Sequence, residues 1–548
     1  MKNRLIQKSL FYILVSVLLV LVYPLDLYFP TGNQCIYFFW GIKNSGFGFL
    51  ENDFLATQAD PFPLFSGLVS YLFSFFGSNS FLFWYCLLNL VYVIAIFEIM
   101  DVVRTTPSLL ERAGVRLVLF LFAHSTLIWG FFFSRFFNLD LRWAWDSGFA
   151  EQGILRGYFQ PSVFGVFILL SVALFAKRRF LLAFVLAAIA ACFHANYLLV
   201  SAVFICIFLL FILKEKNYKT AIIGGVISFV IVFPYLIYVL KNFGTSSPET
   251  VEYIRNNING HIHFDYKVWM NAEAFLQFLL IGFALWLVRK TALFFPMSIG
   301  LAVLIVLTLI TYASGSIFLL NLTPWRISVV LVPVAVAVVV AHLSSITNVK
   351  LNNLIISIVF TATLSALYFR IFGNSSGDFI LKWRMLTLIV FVSTIGFVLL
   401  FEKYLPNVNL KNFTLLAALF LIVCLGLSGT LLHKNDTVSD KELRTFVRKN
   451  SSEEQHYLIP PELTDFRLAT GAPVFVDSTI YHNNTLPEWD KRIKIVNRFF
   501  AASDTVLLDS LVRNCGITHI IAKEDFDFDK GNRIYSNKRY AIFDLSEQ

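Results

Sequence analysis

The stretch GFLENDFLATQADPFPLFSG, residues 48–67, sets Glu51, Asp53 and Asp60 in a short polar window between apolar runs. Asp53 stands between Phe54 and the upstream GFGF. A carboxylate so flanked at a membrane surface loses hydration, which raises its pKa and suits it to general-base chemistry. The Asn52–Asp53 pair also reads as a helix cap. Glu51 reads as a solvated acid, and Asp60–Pro61 as the start of a helix.

A second polar segment, NLDLRWAWDSGFAEQGILRGYFQPSVFG (138–165), offers Asp140, Arg142, Asp146, Glu151, Gln152, Arg156 and Gln160. Trp143, Trp145, Tyr158 and Phe159 lie between them. Aromatic faces beside carboxylates and amides bind sugar rings, whose CH faces pack on rings while hydroxyls meet polar groups. The same Trp and Tyr residues also serve as interfacial anchors. CFHANYLL (192–199) places His194, Asn196 and Tyr197 at a tight turn between apolar runs, where an ionisable group is a functional candidate or a hydrogen-bonded helix end. LNLTPWRISVVLVP (320–333) sets Trp325 and Arg326 at the mouth of a span. A guanidinium there can grip a lipid-linked phosphate bidentately or snorkel to a headgroup. HIHFDYKVW (261–269) adds His261, His263, Asp265 and Lys267, a metal-capable pattern that a flexible polar loop explains as well.

These groups need elements to hold them. The 548 residues are 57% hydrophobic and only 14% charged, whereas soluble domains carry roughly 25% charged residues. Apolar runs broken by Lys/Arg clusters predict a polytopic α-helical membrane protein. Candidate spans, about thirteen, are 9–29, 80–101, 116–134, 161–176, 180–193, 196–213, 219–240, 273–288, 291–313, 327–343, 353–372, 385–402 and 413–431. The first run is long and closed by aromatics, so it reads as an uncleaved span. Basic clusters at Arg104/Arg112/Arg116, Lys177/Arg178/Arg179, Lys214/Lys216/Lys219 and Arg289/Lys290 mark alternate loops as cytoplasmic. The N-terminus then lies inside, and the long loops 30–63, 135–160 and 241–272 lie outside. With an odd number of crossings the tail emerges outside as well. The stretch PFPLFSGLVSYLFSFFG (61–77) reads as an interfacial or re-entrant helix; if it spans, the parity flips.

Residues 1–431 thus form a transmembrane bundle and 432–548 a soluble extracytoplasmic α/β domain. The tail holds 16 Lys/Arg and 18 Asp/Glu, against 28 and 17 in the bundle, so the net charge of +9 belongs to the membrane part. Strands are expected at 456–462, 473–478 and 518–525, helices at 487–500 and 507–516, and a hairpin around Ser536–Lys538. The six cysteines are scattered and give no metal or disulfide pattern. No P-loop, GxGxxG or HExxH is present. Nothing points to a nucleic acid or nucleotide hydrolysis; no cofactor is expected, and a divalent metal finds only the HxH pattern at 261–263.

The arrangement resembles the GT-C class of polytopic membrane glycosyltransferases. More narrowly, LENDFLATQADPFPLFS, YFQPSVFGV, FHANYLL, PWRIS and FRLATGAPVFVDSTIYHNNTLPEWDKR are similar to an uncharacterised bacterial membrane family of that class. The resemblance implies a polyprenyl-phosphate-linked sugar donor and a glycan, lipid or protein acceptor on the outer face of a bacterial inner membrane. It gives Asp53, the acidic residue of the first outer loop, the base or metal-positioning role, and Arg326 a hold on donor phosphate. The oligosaccharyltransferase WWD motif is absent. Alternatives are an envelope polysaccharide polymerase or ligase, to which Arg135, Arg142 and Arg156 lend support, and a non-catalytic transporter or assembly factor.

Overall fold

The computed structural model describes residues 2–23, 29–103, 113–257, 260–346, 355, 358–360, 362–363, 418–425, 441–479, 485–502, 505–526, 528 and 530–546. In hydrocarbon every backbone N–H and C=O must be paired within its own segment, so the apolar runs become helices. They are α1 (Lys2–Val22), α2 (Pro63–Phe76), α3 (Ser80–Val103), α4 (Ala113–Ala123), α5 (Thr126–Phe137) and α6 (Val166–Ala176). There follow α7 (Phe180–Phe193), α8 (Tyr197–Lys214), α9 (Tyr218–Phe243), α10 (Ala272–Val288), α11 (Phe294–Ser314) and α12 (Ser328–Ser345).

Among the described residues, five helical stretches are long and apolar enough to cross a bilayer: α3, α8, α9, α11, and Ile317–Ser345, which contains α12. The expected spans at 161–176, 180–193 and 273–288 are shorter apolar helices. Those at 353–372, 385–402 and 413–431 fall wholly or mostly outside the described residues. The 61–77 stretch forms the 14-residue α2, about 21 Å long and short of a hydrocarbon core of about 30 Å.

Lipid-facing and buried helices differ in which way their apolar groups point. Along α9, Ile222, Val226, Phe229, Val230, Phe233, Ile237 and Leu240 are all exposed and recur on one helical stripe. Only 17% of its apolar window is buried, against 83% for Ile317–Ser345. An outward apolar stripe is stable only where the solvent is hydrocarbon. α12, rich in Val and Ala, is enclosed nearly all round and packs against α3, α4, α10 and α11. Gly224 lets α9 approach α7 so closely that a Cβ there would run into the Phe184 ring.

At one end of the bundle Lys8 pairs with Glu98 at 2.6 Å and Asp101 at 3.1 Å, Arg116 with Asp101 at 3.7 Å, and Lys177 with Glu98. Three basic groups assigned to the same side from sequence thus meet around two acids of α3. The second polar loop carries a short antiparallel pair, β1 (Ser147–Gly148) and β2 (Gln152–Gly153), which packs on the start of α12.

The tail forms a four-stranded mixed sheet of order β3 (Tyr457–Leu458), β4 (His519–Lys523), β6 (Tyr540–Asp544), β5 (Asn532–Ser536). β3 runs parallel to β4, and β6 pairs antiparallel with both neighbours. Successive side chains of a strand face opposite ways. Ile520 and Ala522 therefore enter one core with Val496, Phe499 and Leu508, while Ile521 enters another with Leu443 and Val447. The helices α13 (Lys441–Asn450), α14 (Phe466–Thr470), α15 (Leu486–Ala502) and α16 (Thr505–Cys515) supply those layers. The expected strand at 473–478 is reduced to a single bridge, Tyr457 to Val474. On the opposite edge of that bridge, Val474 N donates to Asp53 at 2.9 Å.

The tail is seated on that loop by backbone contact. Phe49 N donates to Gly471 O at 2.8 Å, and Arg448 lies over the Phe47 ring at 5.0 Å. Gly48 and Gly471 have φ of +68° and +77°, and a Cβ on Gly48 would overlap the Gly471 backbone. Glycine is required at this crossing.

Candidate functional site

The sequence candidates fall into two polar centres. The first holds Asp53, which separates two 3₁₀ turns, Leu50–Asn52 and Phe54–Thr57. Its Oδ1 accepts from Leu55 N and from Arg467 Nη1, both at 2.9 Å. Its Oδ2 accepts from Val474 N. The other arm of Arg467 reaches Asp477 Oδ1 at 3.0 Å. All three side chains are at most 1% exposed. Burial pushes the Asp477 carboxyl up to about 6, with Arg467 opposing the shift. Asp53 is both a cap and a desolvated carboxylate, as read from sequence, but it also carries a guanidinium 414 residues away. As a base it would first have to release that ion pair.

The second centre is built on an interruption of the helix just before α12. Thr323, at φ +43°, turns the backbone into the 3₁₀ segment Pro324–Ile327. Arg326 there donates through Nε to Gln152 Oε1 at 2.6 Å and faces His194 Nε2 through Nη1 at 3.3 Å. His194 lies in the turn between α7 and α8. Its Nδ1 accepts from Asn196 N at 3.2 Å, and Asn196 Nδ2 reaches Thr323 Oγ1 at 3.1 Å. Burial and Arg326 hold the imidazole well below its usual pKa, so it is neutral and carries one N–H. Both of its nitrogens face donors, so whichever bears the hydrogen sets donor against donor. An anionic oxygen between Arg326 and an Nε2–H would satisfy both.

Other candidates surround this centre. Tyr197 donates to Ser162 O at 2.6 Å, and Gln160 accepts from Asn33 at 3.3 Å. Trp325 is buried and stacked on Tyr312, with ring centroids 5.6 Å apart. The Tyr158 hydroxyl lies against Gly32. Asp146, directly before β1, is 3% exposed and its Oδ2 has no hydrogen-bond partner. Burial pushes its carboxyl up to about 6, against the pull of Arg156, whose guanidinium sits 4.1 Å from the Trp143 ring. Asp140 and Arg142 instead pair with each other, both about half exposed, and Glu51 is exposed.

Two residues that the sequence did not single out join the neighbourhood. Glu273 accepts from Trp143 N at 3.4 Å, and Gln277, one turn on, donates to Trp143 O at 3.2 Å and Ser147 O at 3.0 Å. With Glu151 and Trp269 they line a narrow pocket. Their signal was an acid and an amide one turn apart at the start of an apolar run. His263 reaches Ala150 O at 2.9 Å, while Asp265 caps the short helix Tyr266–Trp269 through Lys267 N. Among the described residues no group of three or more His, Cys, Asp or Glu is arranged to hold a metal ion.

No protein-family model matches the sequence, and no curated protein matches it. Solved structures do. The apo crystal structure of ArnT from Cupriavidus metallidurans aligns over 99% of this chain and 98% of its own, at 12% identity and a TM-score of 0.52. The chain shares the fold of that protein. A second ArnT crystal structure, bound to undecaprenyl phosphate, aligns over the same shares at 10% identity and a TM-score of 0.47. Within this fold, the Arg326 and Asp146 groups lie with the β1–β2 loop at the start of α12, and the tail covers the first loop through Asp53.

Proposed function

We propose that the protein transfers a sugar from a polyprenyl-phosphate-linked donor to a glycan, lipid or protein acceptor on the extracytoplasmic face of a bacterial inner membrane. The observation that carries this is the Arg326–Gln152–His194 cluster. It offers two donor groups a few ångströms apart, a fork-shaped guanidinium suited to phosphate oxygens, and a position at the end of a lipid-embedded bundle. Gln152 holds Arg326 from one side, and the charge of the leaving phosphate is stabilised by groups already in place.

The acceptor hydroxyl needs a base. Asp53, read from sequence for that role, already accepts three hydrogen bonds, one from a guanidinium. Asp146 is the better fit, because its neighbours Tyr23 and Ser147 are neutral hydroxyls and burial raises its carboxyl toward neutrality. The aromatic residues and amides of the 138–160 loop, with Glu151, Tyr158 and Gln160, are the sugar side of the site; Tyr197 and Trp325 back it. Of the arginines that favour a polymerase or ligase, Arg142 is spent on Asp140 and Arg156 on Trp143. That favours single-sugar transfer.

The test is binding of undecaprenyl phosphate to the purified protein in nanodiscs. A hydrogen bond to a charged group contributes about 1.5–3 kcal/mol, so Arg326→Gln is expected to weaken binding roughly 10- to 100-fold with the fold intact. Equal binding by the two proteins would overturn the assignment.

A further inference from the structure

The loop between β1 and β2 is a tight turn. Gln152 N donates to Phe149 O at 3.3 Å, and the two central residues, Ala150 and Glu151, have φ of +59° and +54°. Positive φ at both centres is the type I′ requirement, which Asn-Gly meets and residues with a Cβ resist. Such strain persists only where surrounding groups over-determine the conformation, and it concentrates at functional sites. Three contacts hold this turn. Ser328 Oγ accepts from Phe149 N at 2.7 Å, Arg326 binds the Gln152 side chain at 2.6 Å, and His263 reaches Ala150 O at 2.9 Å. The first two come from the first residue of α12 and from the 3₁₀ segment just before it, which carries Arg326. The third comes from a different loop, 241–272.

A carbonyl can only accept, so His263 Nδ1 must carry the hydrogen. Burial holds the ring's pKa down to about 4, leaving a neutral imidazole in a single tautomer, a fixed donor at neutral pH. We infer that His263 is a positioning residue of the phosphate site: by clamping Ala150 O it keeps the strained turn in the one conformation that aims Gln152 at Arg326. The inference rests on the reading of Arg326 as the phosphate group's partner. His263 touches no reacting atom and acts through the turn.

The test pairs loss with relief of strain. His263→Ala is expected to weaken undecaprenyl phosphate binding about tenfold and to speed hydrogen exchange of the amides at 148–153. Ala150→Gly removes the Cβ that resists positive φ. Placed in the His263→Ala background it is expected to return binding to within about threefold of the parent and to slow the exchange again. His263→Gln, which keeps a donor, is expected to lie between. Unchanged exchange in His263→Ala, or a loss that Ala150→Gly does not relieve, overturns the clamp. The exchange readout stands without the ligand. If Arg326→Gln binds undecaprenyl phosphate normally while His263→Ala loosens the turn and Ala150→Gly tightens it, the clamp holds and the phosphate reading fails.

Discussion

A carboxylate held in a buried ion pair must give up that partner before it takes a proton, and that separates Asp53, paired with Arg467, from Asp146. Asp146→Asn is expected to lower sugar transfer by at least about 100-fold, the lower range for losing general-base catalysis. With the aspartate present, the rate should rise with pH through about 6, because the active form is deprotonated. A pH-independent rate between 5 and 8 would remove Asp146 from the mechanism. Stability runs the other way. The folded-state pKa of about 6 lies above an unfolded value of about 3.9, so the folded protein binds the proton more tightly. That contribution is full at low pH and is lost as pH rises through about 6. Asp146→Asn should therefore raise the melting temperature more at pH 8 than at pH 5, measured by scanning fluorimetry. The sequence offered Asp146 and Asp53 as equals in type, since both are acids among aromatics. Only their partners distinguish them, and Arg467 is too distant in the chain for spacing to reveal.

Between elements, the buried Asp53–Arg467–Asp477 group joins the first loop to the tail. Removing one member of a buried ion pair leaves a charge uncompensated and costs about 3–5 kcal/mol. Arg467→Met is expected to undock residues 441–546, seen as cleavage by limited proteolysis where the parent resists. Asp53→Asn should give a milder version of the same effect, with loss of glycan transfer following from loss of docking. If Asp53→Asn abolishes transfer while the tail stays resistant, Asp53 acts at the reacting centre instead. Much of the tail was legible: the amphipathic helices at 487–500 and 507–516 and the hairpin at Ser536–Lys538 follow from local periodicity and turn residues. The reduction of the 473–478 strand to one bridge was not. Nor was α14, whose five residues are too few to show a period.

Across the whole molecule, the basic groups Lys8, Arg116 and Lys177 meet at one end. The orientation read from charge predicts that this end is cytoplasmic. In a protein with its six cysteines replaced, a single cysteine at Glu51 or Ile534 should react with a membrane-impermeant maleimide on intact cells. One at Lys216 should react only after permeabilisation. Labelling in the reverse pattern would place the candidate site on the cytosolic side and end the proposal of an outer-face acceptor. The chain's apolar runs, aromatic loops and turn residues determined by themselves that it is a helical membrane protein with polar chemistry at loops between spans, because those signals depend on near neighbours. Which helices face lipid, which acid is tied to Arg467, and how Arg326 comes to meet Gln152 and His194 were decided by tertiary structure. Those contacts join residues more than a hundred positions apart, and hydrophobic packing carries no code for such pairings that a single sequence displays.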